Sequence, residues 1–420
     1  MSIEKRVRKM SNRNIPKIRF KEFINMWNNY KLGQLGNFKS GIGFPDSQQG
    51  GTEGIPFFKV SDMNNIGNET EMRNANNYVT QEQIMKNSWK VINETPAIIF
   101  AKVGAALMLN RKRLVTKPFL IDNNTMSYSF DESWDKDFGL TLFQTINLPK
   151  YAQIGALPSY NASDIAMIKV NVPNVQEQST IGSLFRTLDD LLASYKDNLA
   201  NYQALKANML SKMFPKAGQT VPEIRLDGFE GEWKKSKLKD VAHRVQGNDG
   251  RMDLPTLTIS ASGGWMNQID RFSANIAGKE QKNYTLLKRG ELSYNHGNSK
   301  LAKYGVVFEL QEYEEALVPK VYHSFRVNQL ADSKFIEIMF STKIPDRELG
   351  KLISSGARMD GLLNISFDDF MNIAIIIPTI KEQQAIGSYF SNLDNLIKSH
   401  QEKVSQLETL KKKLLQEMFI

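Results

Sequence analysis

From Gln176 to Phe214 apolar residues recur every seven positions: Ile181, Leu188, Tyr195, Tyr202 and Met209. A neighbouring row, Phe185, Leu192, Leu199 and Met213, runs beside them. Gly182 is the one glycine in this stretch, Pro173 precedes it and Pro215 ends it. Two apolar rows at a period of seven predict a long helix with a coiled-coil seam, and the prolines predict its limits. The C-terminal segment repeats the pattern after Pro378. Ile386, Leu393, Leu407 and Leu414 form one row, with His400 as its polar member, and Phe390, Ile397, Val404 and Met418 form the other. Helices of about 38 residues reach about 57 Å at 1.5 Å per residue. Their matched lengths predict that they pair with each other. Shorter runs precede each helix. "GIPFFKVSDM", "PAIIFAKVG" and "IAMIKVNVP" predict strands before the first, as do "LPTLTIS", "GELSYN", "YGVVFEL" and "IAIIIP" before the second. "TQEQIMKNSWKVI" and "DSKFIEIMFSTKI" predict short helices. No strand–glycine-turn–helix series opens a doubly wound nucleotide fold.

The chain also repeats itself. "IPKIRFKEFINMWNNYKL" returns as "VPEIRLDGFEGEWKKSKL", with Pro16, Ile18, Arg19, Phe23, Trp27, Lys31 and Leu32 each recurring 206 positions later. "VPNVQEQSTIGSLFRTLDDL" returns as "IPTIKEQQAIGSYFSNLDNL", 205 positions later. Between these flanks, residues 35–165 and 241–370 show no comparable match. A duplicated frame around two different inserts predicts one mechanical part used twice to present two surfaces.

Composition narrows the chemistry. A length of 420 residues holds two or three domains, and 41% hydrophobic with 24% charged residues is ordinary for a globular chain. Cysteine is absent, which removes disulfides, thiolate nucleophiles and zinc–cysteine sites. No run approaches the roughly 18 apolar residues of a membrane span, and the first twenty residues lack a signal peptide's apolar core, so the expected location is the cytoplasm. Net charge is +9; residues 1–50 carry ten Lys/Arg and three Asp/Glu, leaving the rest almost balanced. A polyanion surface beyond that basic arm must be a local patch.

Phosphate-cradling and dinucleotide motifs are missing, as is a proline–aromatic loop that grips a flipped base. His243, His296, His323 and His400 lack metal-ligand spacing. Glu280 and Lys282, with Asp253 or Asp270 upstream, loosely fit a metal-dependent nuclease pattern, which leaves a self-contained endonuclease as an alternative. A coiled-coil scaffold that binds only proteins is another. Basic-polar loops carry more weight. Lys102, Arg111, Lys112, Arg113 and Lys117 cluster in "AKVGAALMLNRKRLVTKPF", and Asn295, His296, Asn298, Lys300 and Lys303 in "SYNHGNSKLAKYG"; Arg358 sits in "SSGARMDGL". Arg and Lys neutralise phosphate and bridge guanine, and Asn can bond adenine twice. These are the candidate DNA-binding residues. Apart from that nuclease alternative, no residue is a candidate for catalysis, metal or cofactor binding.

The frame resembles the specificity subunits of type I restriction–modification systems. The resemblance rests on the "P-x-I-R" to "W…KL" motif at Pro16–Leu32 and Pro222–Leu238, and on "EQ-x-x-IG-x-x-F-x-x-LD" after Pro173 and Pro378. The phrases "IPFFKVSDM", "IIFAKVGAAL" and "YNHGNSK" add to it, and it covers residues 15–420. It implies an α+β fold. Target-recognition domains at 15–172 and 217–377 alternate with conserved helices at 173–216 and 378–420, after a basic extension at 1–14. The helices would form an antiparallel coiled coil through Ile181, Leu188, Tyr195, Leu199, Tyr202, Ile386, Leu393, Val404, Leu407 and Leu414, and dock two methyltransferase subunits. A translocating nuclease subunit joins such cores, and the partner subunits use S-adenosylmethionine, ATP and Mg. The subunit itself is non-catalytic, and each domain would read half of a split, non-palindromic site in double-stranded DNA.

Overall fold

The computed structural model describes residues 15–153, 157–272, 278–297, 301–353 and 362–419. The extension 1–14 and the candidates Asn298, Lys300 and Arg358 lie outside the described residues. Four helices carry the architecture: α1 (Lys136–Thr145), α2 (Val175–Lys212), α3 (Ser333–Ser341) and α4 (Ile380–Glu417). The two long ones each run 38 residues, as the heptad rows predict. The chain divides into two compact units, Met1–Lys196 with Glu402–Ile420, and Asp197–Gln401, so each unit contains a part of each long helix.

The first unit threads strands β1 (Asn28–Lys31), β2 (Gly36–Ser40), β3 (Ala97–Ala101), β4 (Lys112–Val115), β5 (Thr125–Phe130) and β6 (Lys169–Val172). β1 and β6 pair antiparallel and bring the two ends of the insert together. β2 to β5 form an antiparallel sheet in the order β2-β5-β3-β4. Every residue of β3 and β5 is buried, which explains the unbroken apolar run "AIIFA". Ile98 and Phe100 point into the main core with α1, whereas Ala97 and Ile99 point into a second cluster with Phe58 and Phe119. The expected strand "GIPFFKVSDM" stops at Phe58 and turns into a 3-10 helix, Val60–Asn64. The buried Asp62 carboxylate accepts the Lys59 N–H at 2.8 Å and the Asn76 N–H at 3.2 Å, which favours a turn over a ladder.

The second unit threads β7 (Lys234–Lys237), β8 (Ala242–Arg244), β9 (Leu292–Asn295), β10 (Val306–Glu309), β11 (His323–Val327) and β12 (Ala374–Ile377). β7 pairs with β12 as β1 does with β6, and the sheet runs β8-β11-β9-β10. Strand for strand this is the arrangement of the first unit. Two inserts without matching sequence therefore build the same sheet arrangement. Ladder bonds are made by the backbone, and side chains need only alternate correctly between faces.

A clamp that recurs in both units explains the repeated motifs residue by residue. Glu177, 1% exposed, accepts from Arg19 Nε and Nη2, both at 2.7 Å, and from Trp27 Nε1 at 3.1 Å. Glu382 does the same with Arg225 at 2.8 and 2.7 Å and Trp233 at 3.3 Å. The neighbouring glutamine ties each long helix to a short one. Gln178 accepts from the Asp135 N–H and donates to the Ser133 and Pro173 carbonyls; Gln383 accepts from Asp332 and donates to Leu330 and Pro378. Asp135 and Asp332 in turn cap α1 and α3. Glycine follows because a Cβ at Gly182 would lie 2.4 Å from the Asp135 carboxylate and 2.6 Å from the Phe138 nitrogen.

Within each unit the long-helix segments run antiparallel. In the first, Asp189 meets Lys411 and Lys196 meets Glu408. In the second, Lys206 meets Asp394 and the Tyr202 ring lies 5.2 Å from that of His400. Ile181, Leu188, Ile386 and Leu393 are buried, and Tyr195, Leu199, Tyr202, Val404, Leu407 and Leu414 are half-buried. The helix ends then close the cores. Phe419 packs 5.6 Å from Phe138 and 6.1 Å from Trp27, and Phe214 packs 5.5 Å from Phe335 and 5.7 Å from Trp233.

Candidate nucleic-acid interface

The two candidate loops occupy equivalent places. Residues 102–111 join β3 to β4, and residues 296–305 join β9 to β10, ten residues in each case. Each is the hairpin at one edge of its sheet.

In the first hairpin a 3-10 helix, Ala105–Leu109, ends at Asn110, which adopts a left-handed conformation (φ 53°) that asparagine tolerates. Its side chain donates to the Ile146 carbonyl at 3.2 Å and accepts from the Leu148 N–H at 3.1 Å, so the turn is anchored to the core side of the unit. From there the strand period separates three consecutive basic residues. Lys112 points inward, 5% exposed, and its Nζ donates to the Ile146 carbonyl at 2.6 Å and to Asn110 Oδ1 at 2.7 Å. Arg111 and Arg113 point to the other side. Arg111 donates to Asn64 Oδ1, and Arg113 donates to the carbonyls of Lys112 at 3.0 Å and Met63 at 3.4 Å. Among the described residues neither guanidinium forms an ion pair with a carboxylate. Lys117 is exposed and Lys102 half-buried.

Lys112, expected at a DNA edge, is thus a buried internal tie. Burial pushes its amine down to about 7. Burial, and then the neighbouring Arg111 charge, also lower the Arg113 guanidinium. Between pH 7 and 10.5, the ordinary lysine value, the unfolded chain holds a proton on Lys112 that the folded chain has released. Stability of the first unit should therefore climb as pH rises through that window. Hydrogen exchange of first-unit amides should show the climb in the unaltered chain and its loss in Lys112→Met.

In the second hairpin the sequence candidates also turn inward. Asn295 donates to the Ile259 carbonyl at 3.2 Å and accepts from the Gly297 N–H at 3.1 Å. His296, 7% exposed, has one ring nitrogen 2.8 Å from the Leu363 carbonyl and the other 2.8 Å from the Val321 carbonyl. Its ring stacks 4.7 Å from His323, whose imidazole is pushed down to about 4, chiefly by burial. Lys303 stays exposed, its ammonium 5.3 Å from the Tyr304 ring centroid. The structure adds surface groups that the sequence reading missed. Asn64 borders the first hairpin, and His243, Arg244 and Arg326 are exposed on β8 and β11. His243 and Arg326 face each other across the ladder although 83 positions separate them, and no local pattern announces such a pair.

The nuclease-like residues do not converge on a site. Asp253 and Asp270 are exposed, Glu280 accepts from Asn283, and the intervening Gln281 turns inward to Thr256. Among the described residues no three His, Asp or Glu side chains are placed to share a metal ion, and no helix is long and apolar enough to cross a membrane.

One sheet-and-clamp module is built twice in this chain, with a different hairpin each time. The family model described as the type I restriction modification DNA specificity domain matches residues 25–226 and again 230–409, and the chain belongs to that family. A relative, the type I restriction enzyme MjaVIII specificity subunit of Methanocaldococcus jannaschii, is 21% identical over 276 residues. The match covers 62% of this chain and 63% of that protein, somewhat less than two thirds of the relative's length. The crystal structure of the type I restriction–modification S subunit from M. genitalium shares the fold, with a TM-score of 0.59 at 13% identity over 97% of this chain and 99% of that one.

Proposed function

We propose that this chain is the DNA-reading subunit of a type I restriction–modification complex, and that each insert reads one half of a bipartite, non-palindromic site. The observation that carries this reading is the matched pair of hairpins: equal in length, equivalent in strand order, unlike in side chains. A shared scaffold with different reading residues is what two unlike half-sites require, since sequence is read by side chains at base edges while the scaffold sets their register. Residues 15–172 take the first half-site, with Lys102, Arg111, Arg113 and Lys117 toward DNA. Residues 217–377 take the second, with Lys303 and, from outside the described residues, Asn298, Lys300 and Arg358.

The helices at 173–216 and 378–420 dock two methyltransferase subunits, and a restriction subunit joins them. Because the seam residues turn inward, the docking face falls on outward positions. Leu191 and Leu396, 41% and 40% exposed and 205 positions apart, are an equivalent apolar pair there. Chemistry belongs to the partners, which bring S-adenosylmethionine, ATP and Mg; this chain supplies none.

Exchanging residues 35–165 for the first insert of another family member tests the reading. Mapping methylated adenines should then show one half of the target sequence replaced and the other half retained. A change in both halves, or in neither, would overturn the assignment of one insert to one half-site.

A further inference from the structure

Beside Arg111 lies a hollow that phosphate binding does not require. It measures about 240 Å³ and is walled by Val60, Met63, Ala101, Ala106 and Leu109, with Ser61, Asn64 and Arg111 at its edge. Next to it Met108 and Leu109 stand 61% and 58% exposed, two consecutive apolar side chains on the hairpin that carries the cations. The hollow is also pre-formed. Asn110 and Lys112 anchor one wall to the Ile146 carbonyl, and the Arg111 guanidinium is held by Asn64 at the rim. A rigid apolar recess with one fixed cation suits a ligand with an apolar projection beside hydrogen-bond acceptors.

On the major-groove edges of DNA, the thymine 5-methyl is the one apolar projection, and guanine O6 and N7 are the acceptors that arginine bridges. A sugar–phosphate strand would use the cations and leave the apolar wall wet. Cytosine presents an amino donor and no apolar projection, so it too would leave the apolar wall unfilled. We infer that this hollow is a subsite for the methyl-bearing edge of a thymine, next to the base that Arg111 reads. The inference rests on the proposal that the first insert reads DNA, and it assigns a base to that half-site. It does not extend to the second unit, where Asn295 and His296 turn inward from the equivalent hairpin.

The test uses the complete chain assembled with its methyltransferase subunits, on a duplex carrying its mapped site. Each thymine of the first half-site is replaced in turn by deoxyuridine, which removes the methyl and keeps the pairing. One position should lose roughly fourfold in affinity, the factor expected for one buried methyl, and the others should not change. In Leu109→Ser, whose native side chain is mostly exposed and whose loss should leave folding intact, the difference between thymine and deoxyuridine at that position should vanish. Equal binding at every substituted position, or a first half-site without thymine, would remove the subsite. If mismatches in that half-site were also without effect, the failure would lie with DNA reading by the first insert instead.

Discussion

Replacing Glu177 by Ala is expected to lower the unfolding free energy of the first unit by about 3–5 kcal/mol, the cost of removing one partner from a buried ion pair. The carboxylate is 1% exposed and gathers three donors: two from Arg19, itself 10% exposed, and the Trp27 indole. Without it the Arg19 guanidinium keeps the Asn25 carbonyl but loses its counter-charge, the Trp27 indole loses its bond to Glu177, and the segment from Pro16 to Leu32 loses its hold on α2. Glu382→Ala should do the same to the second unit through Arg225 and Trp233. Hydrogen exchange resolved by residue separates the two outcomes, because each unit reports on its own opening. Joint replacement of Arg19 and Glu177 by methionine should recover much of the loss, since no charge then remains unpaired. A cost below about 1 kcal/mol for Glu177→Ala, the range of exposed pairs, would mean that the clamp is not desolvated as its geometry indicates.

Phe419→Ala should also cost about 3–5 kcal/mol, as large aromatic truncations in a core do. Its place in the chain makes the location of the effect informative. Phe419 is next to last, yet it packs against Trp27, Phe138 and Phe185, so protection should be lost in the N-terminal insert. Phe214 lies two residues past the end of the first long helix, yet it packs against Trp233 and Phe335, so Phe214→Ala should weaken the insert that follows it. The backbone points the same way: the Ile18 N–H donates to the Glu417 carbonyl and the Ile224 N–H to that of Lys212, both at 3.0 Å. If Phe419→Ala left first-unit exchange unchanged, the helix end would not be part of that core.

Both long helices were legible in the sequence because a seven-residue apolar period over dozens of positions has few alternatives, and their 38 residues follow from it. The repeat was legible too, since Arg19, Trp27, Glu177 and Gln178 recur as Arg225, Trp233, Glu382 and Gln383 at nearly constant offset. The reason they recur was not. Arg19 and Glu177 are 158 positions apart, and a pair made by chain folding leaves no periodic trace. The equivalence of the inserts was hidden for a different reason. Ladder pairing tolerates almost any side chain that alternates correctly, so the same sheet can be written in unlike sequences.

At the candidate interface the sequence by itself determined which segments carry the charge, and the tertiary structure decided where each charge goes. Arg111, Lys112 and Arg113 are indistinguishable as consecutive basic residues. The strand period sends the middle one inward to the Ile146 carbonyl and leaves its neighbours on the opposite face, toward Asn64 and Met63. Asn295 and His296 read as surface groups until the Ile259, Val321 and Leu363 carbonyls, all remote in sequence, come within hydrogen-bond reach. Local pattern determines an element and its faces. Which face meets protein is set by neighbours the chain brings from far away, because burial is a property of the packed whole.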